Sequence, residues 1–329
     1  MGRLVFARAG FRLFGVLSVA GLLFTASARA TDVHLNADDT VGTSSFNAAG
    51  HWDNAAAPSA GNAYFNALSG TNFLLRTPGS NGNFTFAGDS LTITGAAGDL
   101  NDSLLFKGTG GSVATPNTIT VNSLVLNSGY IRHASGSGDF FALAGNLTIN
   151  GGGMAIQGPT YINSLISGAG NLTIESPGNT EAIRTVHFTN SGNTYTGSIN
   201  LSVGSPNFSK FELDSTGVLN FVIGASGVNN QIFGPGNAIY NGAFKFNLTG
   251  ASTNLGDTWN VAAATNQTFS GTFSVNGFSS LGGGLWETSA NGATYQFNQA
   301  NGTLTVVPEP TSLMLIAVGS MGLLFLRRK

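Results

Sequence analysis

The chain has 329 residues, 42% of them hydrophobic, and a formal net charge of −2 from 13 basic and 15 acidic side chains. It contains no cysteine, which excludes a disulfide framework, a thiolate metal site and a cysteine nucleophile. Seven of the basic residues lie in the two terminal segments described below, so residues 31–307 hold six basic against 14 acidic groups, and that charge of −8 argues against nucleic acid and anionic lipid as partners.

At the N-terminus, Arg3, Arg8 and Arg12 precede an apolar run from Leu13 to Phe24, and the run exits through Ala28-Arg29-Ala30. A basic start, a 12-residue apolar core and an Ala-x-Ala exit predict a secretory signal peptide over residues 1–30, cleaved to leave Thr31. Twelve apolar residues are too few to span a bilayer. The expected handlers are the Sec translocon and signal peptidase.

The first polar clusters follow at once. His51-Trp52-Asp53 offers an indole for stacking on a sugar ring, with Asp53 or His51 as its polar neighbour. A buried tryptophan in the first coil is the competing reading. Asp38-Asp39 reads either as a calcium corner or as a solvated turn. His34, His133 and His187 show no metal-ligand spacing, and the acidic residues show no clustering at a repeat distance. No nucleophile elbow, zincin motif or P-loop is present. No cofactor or metal is expected.

From residue 31 to about 210 the chain shows short β-prone runs punctuated by Gly and Asn, and no sustained helical period. Leu91-Thr-Ile93, Ile119-Thr-Val121, Leu124-Val-Leu126, Leu147-Thr-Ile149, Met154-Ala-Ile156 and Leu172-Thr-Ile174 are of this kind. Gly-Asn-Leu-Thr-Ile occurs at 145–149 and again at 170–174. A repeat in the twenties predicts a β-helical solenoid of about ten coils, with a β-sandwich as the alternative. Several Asn-x-Ser/Thr sites, among them Asn146, Asn171 and Asn247, are what such a composition yields by chance.

Residues 192–199, Gly-Asn-Thr-Tyr-Thr-Gly-Ser-Ile, resemble the autotransporter-associated β-strand repeat. Ser198 departs from it where a second Gly is common. The resemblance implies a right-handed parallel β-helix of the kind displayed on bacterial surfaces. Residues 211–307 carry longer runs beside Asn241-Gly242, Asn291-Gly292 and Asn301-Gly302, which predict hairpins and a sheet-like continuation or cap.

The chain closes on Pro308-Glu309-Pro310, an apolar stretch from Leu313 to Leu326, and Arg327-Arg328-Lys329. Fourteen helical residues reach roughly 21 Å, short of the roughly 30 Å hydrocarbon core, and snorkelling basic side chains extend that reach. A transmembrane helix with a cytoplasmic basic stop is expected. Residues 308–329 resemble the PEP-CTERM sorting signal of Gram-negative bacteria. That resemblance implies recognition of Pro308, Glu309 and Pro310 by an exosortase, brief residence in the inner membrane, and transfer to the envelope, surface or extracellular matrix, often with exopolysaccharide.

Together these readings give an all-β exported protein: signal peptide 1–30, solenoid 31–210, β-rich section 211–307 and sorting signal 308–329. A non-enzymatic structural or adhesin-like role is expected. The alternatives are a β-helix polysaccharide lyase or glycoside hydrolase, and a glycan-binding module built on Trp52, Asp53 and Trp286.

Overall fold

The computed structural model describes residue 2 and residues 30–96, 98–134, 136, 138–175, 184–202 and 210–309. Ala28, Pro310, the apolar stretch Leu313 to Leu326 and the basic stop Arg327, Arg328 and Lys329 lie outside the described residues. Among the described residues every regular element is a strand, and no helix is long and apolar enough to cross a membrane.

The strands stack in parallel into three ladders that form the faces of a solenoid. The first begins with Thr31–His34, Asn62–Phe65 and Ser90–Thr94 and passes through 124–127 and 147–149 to Leu165–Ser167. Backbone bonds from Thr194 to Ile166 and from Val218 to Asn190 carry it on to Val218–Val222, Ala243–Asn247 and Ser274–Asn276. The second ladder runs from Leu75–Arg76 and Ser103–Phe106 through 130–133 and 153–156 to Leu172–Glu175, Ile199–Leu201, 232–234 and 262–264. The third holds Phe84–Thr85, 117–121, 141–145, Thr160–Ile162, Thr185–Phe188, Lys210–Leu213, 237–240 and 266–269.

Eight rungs on the third ladder make about eight turns rather than ten, and a stack roughly 35 Å tall at strand spacing. Alternation explains why these segments are strands. Within Leu172–Glu175, for example, Leu172 and Ile174 are buried while Thr173 and Glu175 are half-buried. Register then aligns the inward residues into columns: Ile119, Leu143, Ile162, Phe188 and Leu213 sit one above the next. Each is essentially inaccessible, and burial of such a side chain contributes about 1.5–3 kcal/mol.

Coil length varies, and this changes how the repeated pentapeptide must be understood. Leu143 pairs with Ile162, a coil of 19 residues, whereas Phe188 pairs with Leu213, a coil of 25. The copy at 145–149 therefore lies on the first ladder, where Leu147 faces Ile166, and the copy at 170–174 lies on the second, where Leu172 faces Ile199. The two copies do not stack on each other. Gly145 marks one of the corners between faces: its φ is +100°, and a Cβ there would meet the Val121 carbonyl oxygen at 2.0 Å.

The parallel ladders carry on past residue 210 to Asn276. Asn241-Gly242 is not a hairpin but a corner between two ladders, with the Asn241 and Gly242 amides donating to the Leu213 carbonyl below. Asn291-Gly292 and Asn301-Gly302 do lie in antiparallel turns. They belong to a five-stranded sheet ordered Thr258–Asn260, Thr303–Val307, Ala293–Asn298, Leu285–Ala290, Ser279–Gly282. This sheet packs on the last rungs through Phe297, whose ring lies 5.7 Å from Phe244 and 6.0 Å from Phe269. At the other end Phe46, Trp52, Tyr64 and Phe86 interlock, with Trp52 4.8 Å from Tyr64 and Tyr64 5.1 Å from Phe86.

Candidate functional site

The N-terminal polar clusters turn out to be structural. Trp52 is 2% exposed, and its indole N–H donates to the Ser45 carbonyl at 2.7 Å. Buried beside Tyr64 and Phe86, Trp52 has no exposed surface on which a sugar could stack, so the glycan-contact reading of Trp52 is corrected to one of packing. Asp53 is exposed and accepts the His34 amide at 3.1 Å, which fastens the loop to the first strand. Buried Asp39 accepts from the Ser45 amide, the Ser45 hydroxyl and the Arg76 amide, and so pins the cap to the second ladder. Trp286 is half-buried against Phe273.

His133 sits in the core, within 3.2 Å of the Thr160 hydroxyl and edge-on to Phe141. Desolvation by burial, with Lys107 and Arg184 adding to it, pushes its pKa down to about 4, so the ring is neutral at physiological pH. It is a polar filler of the core rather than a site residue.

Sequence reasoning passes over a cluster on the outer side of the third ladder. Tyr161, His187 and Glu212 occupy successive rungs in direct register, and Asp214 follows at the next corner. Tyr161 and His187 stack with ring centroids 4.4 Å apart. His187 Nδ1 lies 3.0 Å from Asp214 Oδ1 and 3.8 Å from Glu212 Oε2, and Asn241 donates to Glu212 Oε1 at 2.6 Å. Burial, together with the Asp214 and Glu212 charges, raises the Tyr161 phenol pKa. The cluster opens on a depression of about 380 Å³ bordered by Ser215, Thr216 and Thr272.

The spacings of 25 and 27 residues from His187 match the local coil length, and that is the signal by which the cluster can be found. One imidazole nitrogen and two carboxylate oxygens within 4.8 Å of one another can hold a divalent cation. Equally, Asp214 can orient the imidazole as a proton-transfer group, since it holds Nδ1 and so fixes the direction of the other ring nitrogen.

At the C-terminus the last strand of the antiparallel sheet, Thr303–Val307, is paired on both sides. Val306 is buried, and Pro308 and Glu309 emerge exposed directly after Val307. No linker separates the folded body from the proline–glutamate pair.

Residues 306–329 match the PEP-CTERM protein-sorting motif. The match begins inside the final strand and runs to the last residue. The motif implies export to the cell envelope and processing by an exosortase. No curated protein matches the chain significantly.

Proposed function

We propose that the exported body is a non-enzymatic rod that serves as a spacer or adhesive scaffold at the cell surface or in an extracellular matrix, in association with exopolysaccharide. In this reading the chain passes the Sec translocon and loses residues 1–30 to signal peptidase. It is then held in the inner membrane of a Gram-negative host by its C-terminal helix until an exosortase cuts near Pro308-Glu309-Pro310. The observation that carries the reading is the sorting motif following, without a linker, the antiparallel sheet that closes a β-solenoid. The resemblance of residues 192–199 to the autotransporter-associated β-strand repeat, with its right-handed β-helices, supports a surface role.

The test is the mass of the protein recovered from the envelope and medium of a host that carries an exosortase. A species spanning Thr31 to the neighbourhood of Pro308 is expected. A species retaining Arg327-Arg328-Lys329 would instead mean a permanent anchor, and the sorting reading would fall.

One observation favours a second reading, that of a polysaccharide lyase or hydrolase: Tyr161, His187, Glu212 and Asp214 converge beside an open depression. The variants Glu212→Gln and Asp214→Asn, assayed on a panel of glycans, separate the two. Glycan cleavage by the unaltered chain that either variant abolishes would overturn the scaffold reading.

A further inference from the structure

A groove of about 770 Å³ runs along the outer side of the first ladder, between the rungs and the turn of the hairpin Leu285–Ala290/Ala293–Asn298. Register builds its floor. Asn220, Lys245 and Asn276 are paired across three successive rungs, and their inward neighbours Leu219, Phe244 and Val275 are buried. Alternation therefore aims the first three outward as a single row. The wall is tied to the floor where the Asn291 side chain donates to the Leu248 carbonyl at 2.6 Å.

The lining is chemically selective. The body carries 14 carboxylates, yet among the described residues none borders this groove. Lys245 is its one charged residue, exposed and without an ion pair among the described residues. Asn, Ser and Thr make up ten of the other eighteen lining residues, and their amides and hydroxyls donate and accept as sugar hydroxyls do. Phe246 and Phe278, half-buried with rings 5.3 Å apart, add apolar surface of the kind presented by the carbon–hydrogen face of a pyranose. Enclosed cavities suit small ligands, whereas this groove is open and repeats its polar groups at the spacing of the rungs, about 4.8 Å, which suits a chain.

We propose that this groove binds a segment of a polysaccharide containing uronic acids, with Lys245 pairing a sugar carboxylate and Asn220 and Asn276 bonding hydroxyls on either side. The inference rests on the scaffold's association with polysaccharide and gives that polysaccharide a chemical class. Asn220 gives one amide N–H to the Asn193 carbonyl, which leaves its second N–H and its side-chain oxygen for a sugar hydroxyl. The local cation and the lack of carboxylates offset the repulsion an acidic body would otherwise exert on an anionic polymer.

The experiment is calorimetric titration of the full-length chain, purified in detergent, with a hexamer of galacturonic acid and with its methyl ester, which is the same chain without charge. The acid is expected to bind more tightly than the ester, and Lys245→Ala is expected to weaken the acid on the order of tenfold while leaving the ester unchanged. Asn276→Asp, which adds a carboxylate to the row, is expected to weaken the acid as well. Equal binding of acid and ester, no binding of the acid, or a Lys245→Ala chain that binds as before would overturn the proposal. Lys245 is exposed, so an unchanged thermal melt separates lost binding from lost folding. Cleavage of the hexamer would overturn the non-enzymatic reading while leaving the groove standing. Correct sorting without binding would do the reverse.

Discussion

The middle of the solenoid and its C-terminal end are built from the same kind of strand but closed in different ways. In the middle, columns of Leu, Ile and Met lie between rungs above and below, so each coil is covered by copies of itself. The end has no further coil, and an antiparallel sheet with a cluster of aromatic rings takes its place. A stack of coils satisfies its backbone everywhere except at its two terminal rungs, and each of those needs a cover of another design. The middle is therefore sensitive to backbone approach between rungs, and the end to loss of ring area.

The largest expected effect tests the end. Phe244 is fully buried and touches Phe221, Tyr240, Phe273 and Phe297, so Phe244→Ala should cost about 3–5 kcal/mol in denaturant unfolding. Limited proteolysis should then cut first between residues 279 and 307. An unchanged midpoint would mean that the aromatic cluster is not what holds the cover in place.

Next comes acid, which acts on the middle. His133 in the folded chain has its pKa lowered to about 4 from an ordinary 6.5, so stability is complete above pH 6.5. It falls as the pH drops toward 4, because the unfolded chain takes up a proton that the folded one refuses. The loss is on the order of 3 kcal/mol across that window. Melting curves from pH 7 to pH 4 should show it, and His133→Leu should flatten that part of the profile.

Two glycines sharpen the contrast further. Gly145→Ala drives a methyl group into the Val121 carbonyl of the neighbouring rung, and should cost about 3 kcal/mol, at the upper end for overpacking. Gly292→Ala, in the hairpin turn of the cover, keeps a positive φ but meets nothing within 4 Å, so about 1 kcal/mol is expected. Equal costs at both positions would erase the distinction between rung contact and turn strain. Smallest of all, Lys245→Ala should shift stability by no more than about 0.5 kcal/mol, as measured in the same denaturant series.

Strand type was the most legible property of the sequence, because alternation is local. The segments at 91–93, 119–121, 124–126, 147–149, 154–156 and 172–174 all lie in the parallel ladders. The phase of the stack was not legible, since a 19-residue coil is compatible with a 25-residue repeat of the same five letters on a different face. The cluster at His187 stayed hidden for that reason: Glu212 becomes its neighbour only once the rung beneath Thr185–Phe188 is known. Trp52 misled in the opposite direction, because an indole beside an aspartate looks the same in sequence whether its faces are wet or packed against Tyr64 and Phe86. Asn241-Gly242 shares its letters with a hairpin turn but sits at a corner, since the following strand joins a neighbouring coil rather than folding back.

The direct passage from Val307 to Pro308 also has a mechanical meaning. Any pull on the tail enters the body along the axis of Thr303–Val307, which is bonded to Ala293–Asn298 on one side and to Thr258–Asn260 on the other. Traction in that direction shears both rows of hydrogen bonds together instead of peeling them one after another. A rod held by this end would carry load through a strand bonded on both sides, and with no slack between grip and shaft its tilt would follow that of whatever grips it.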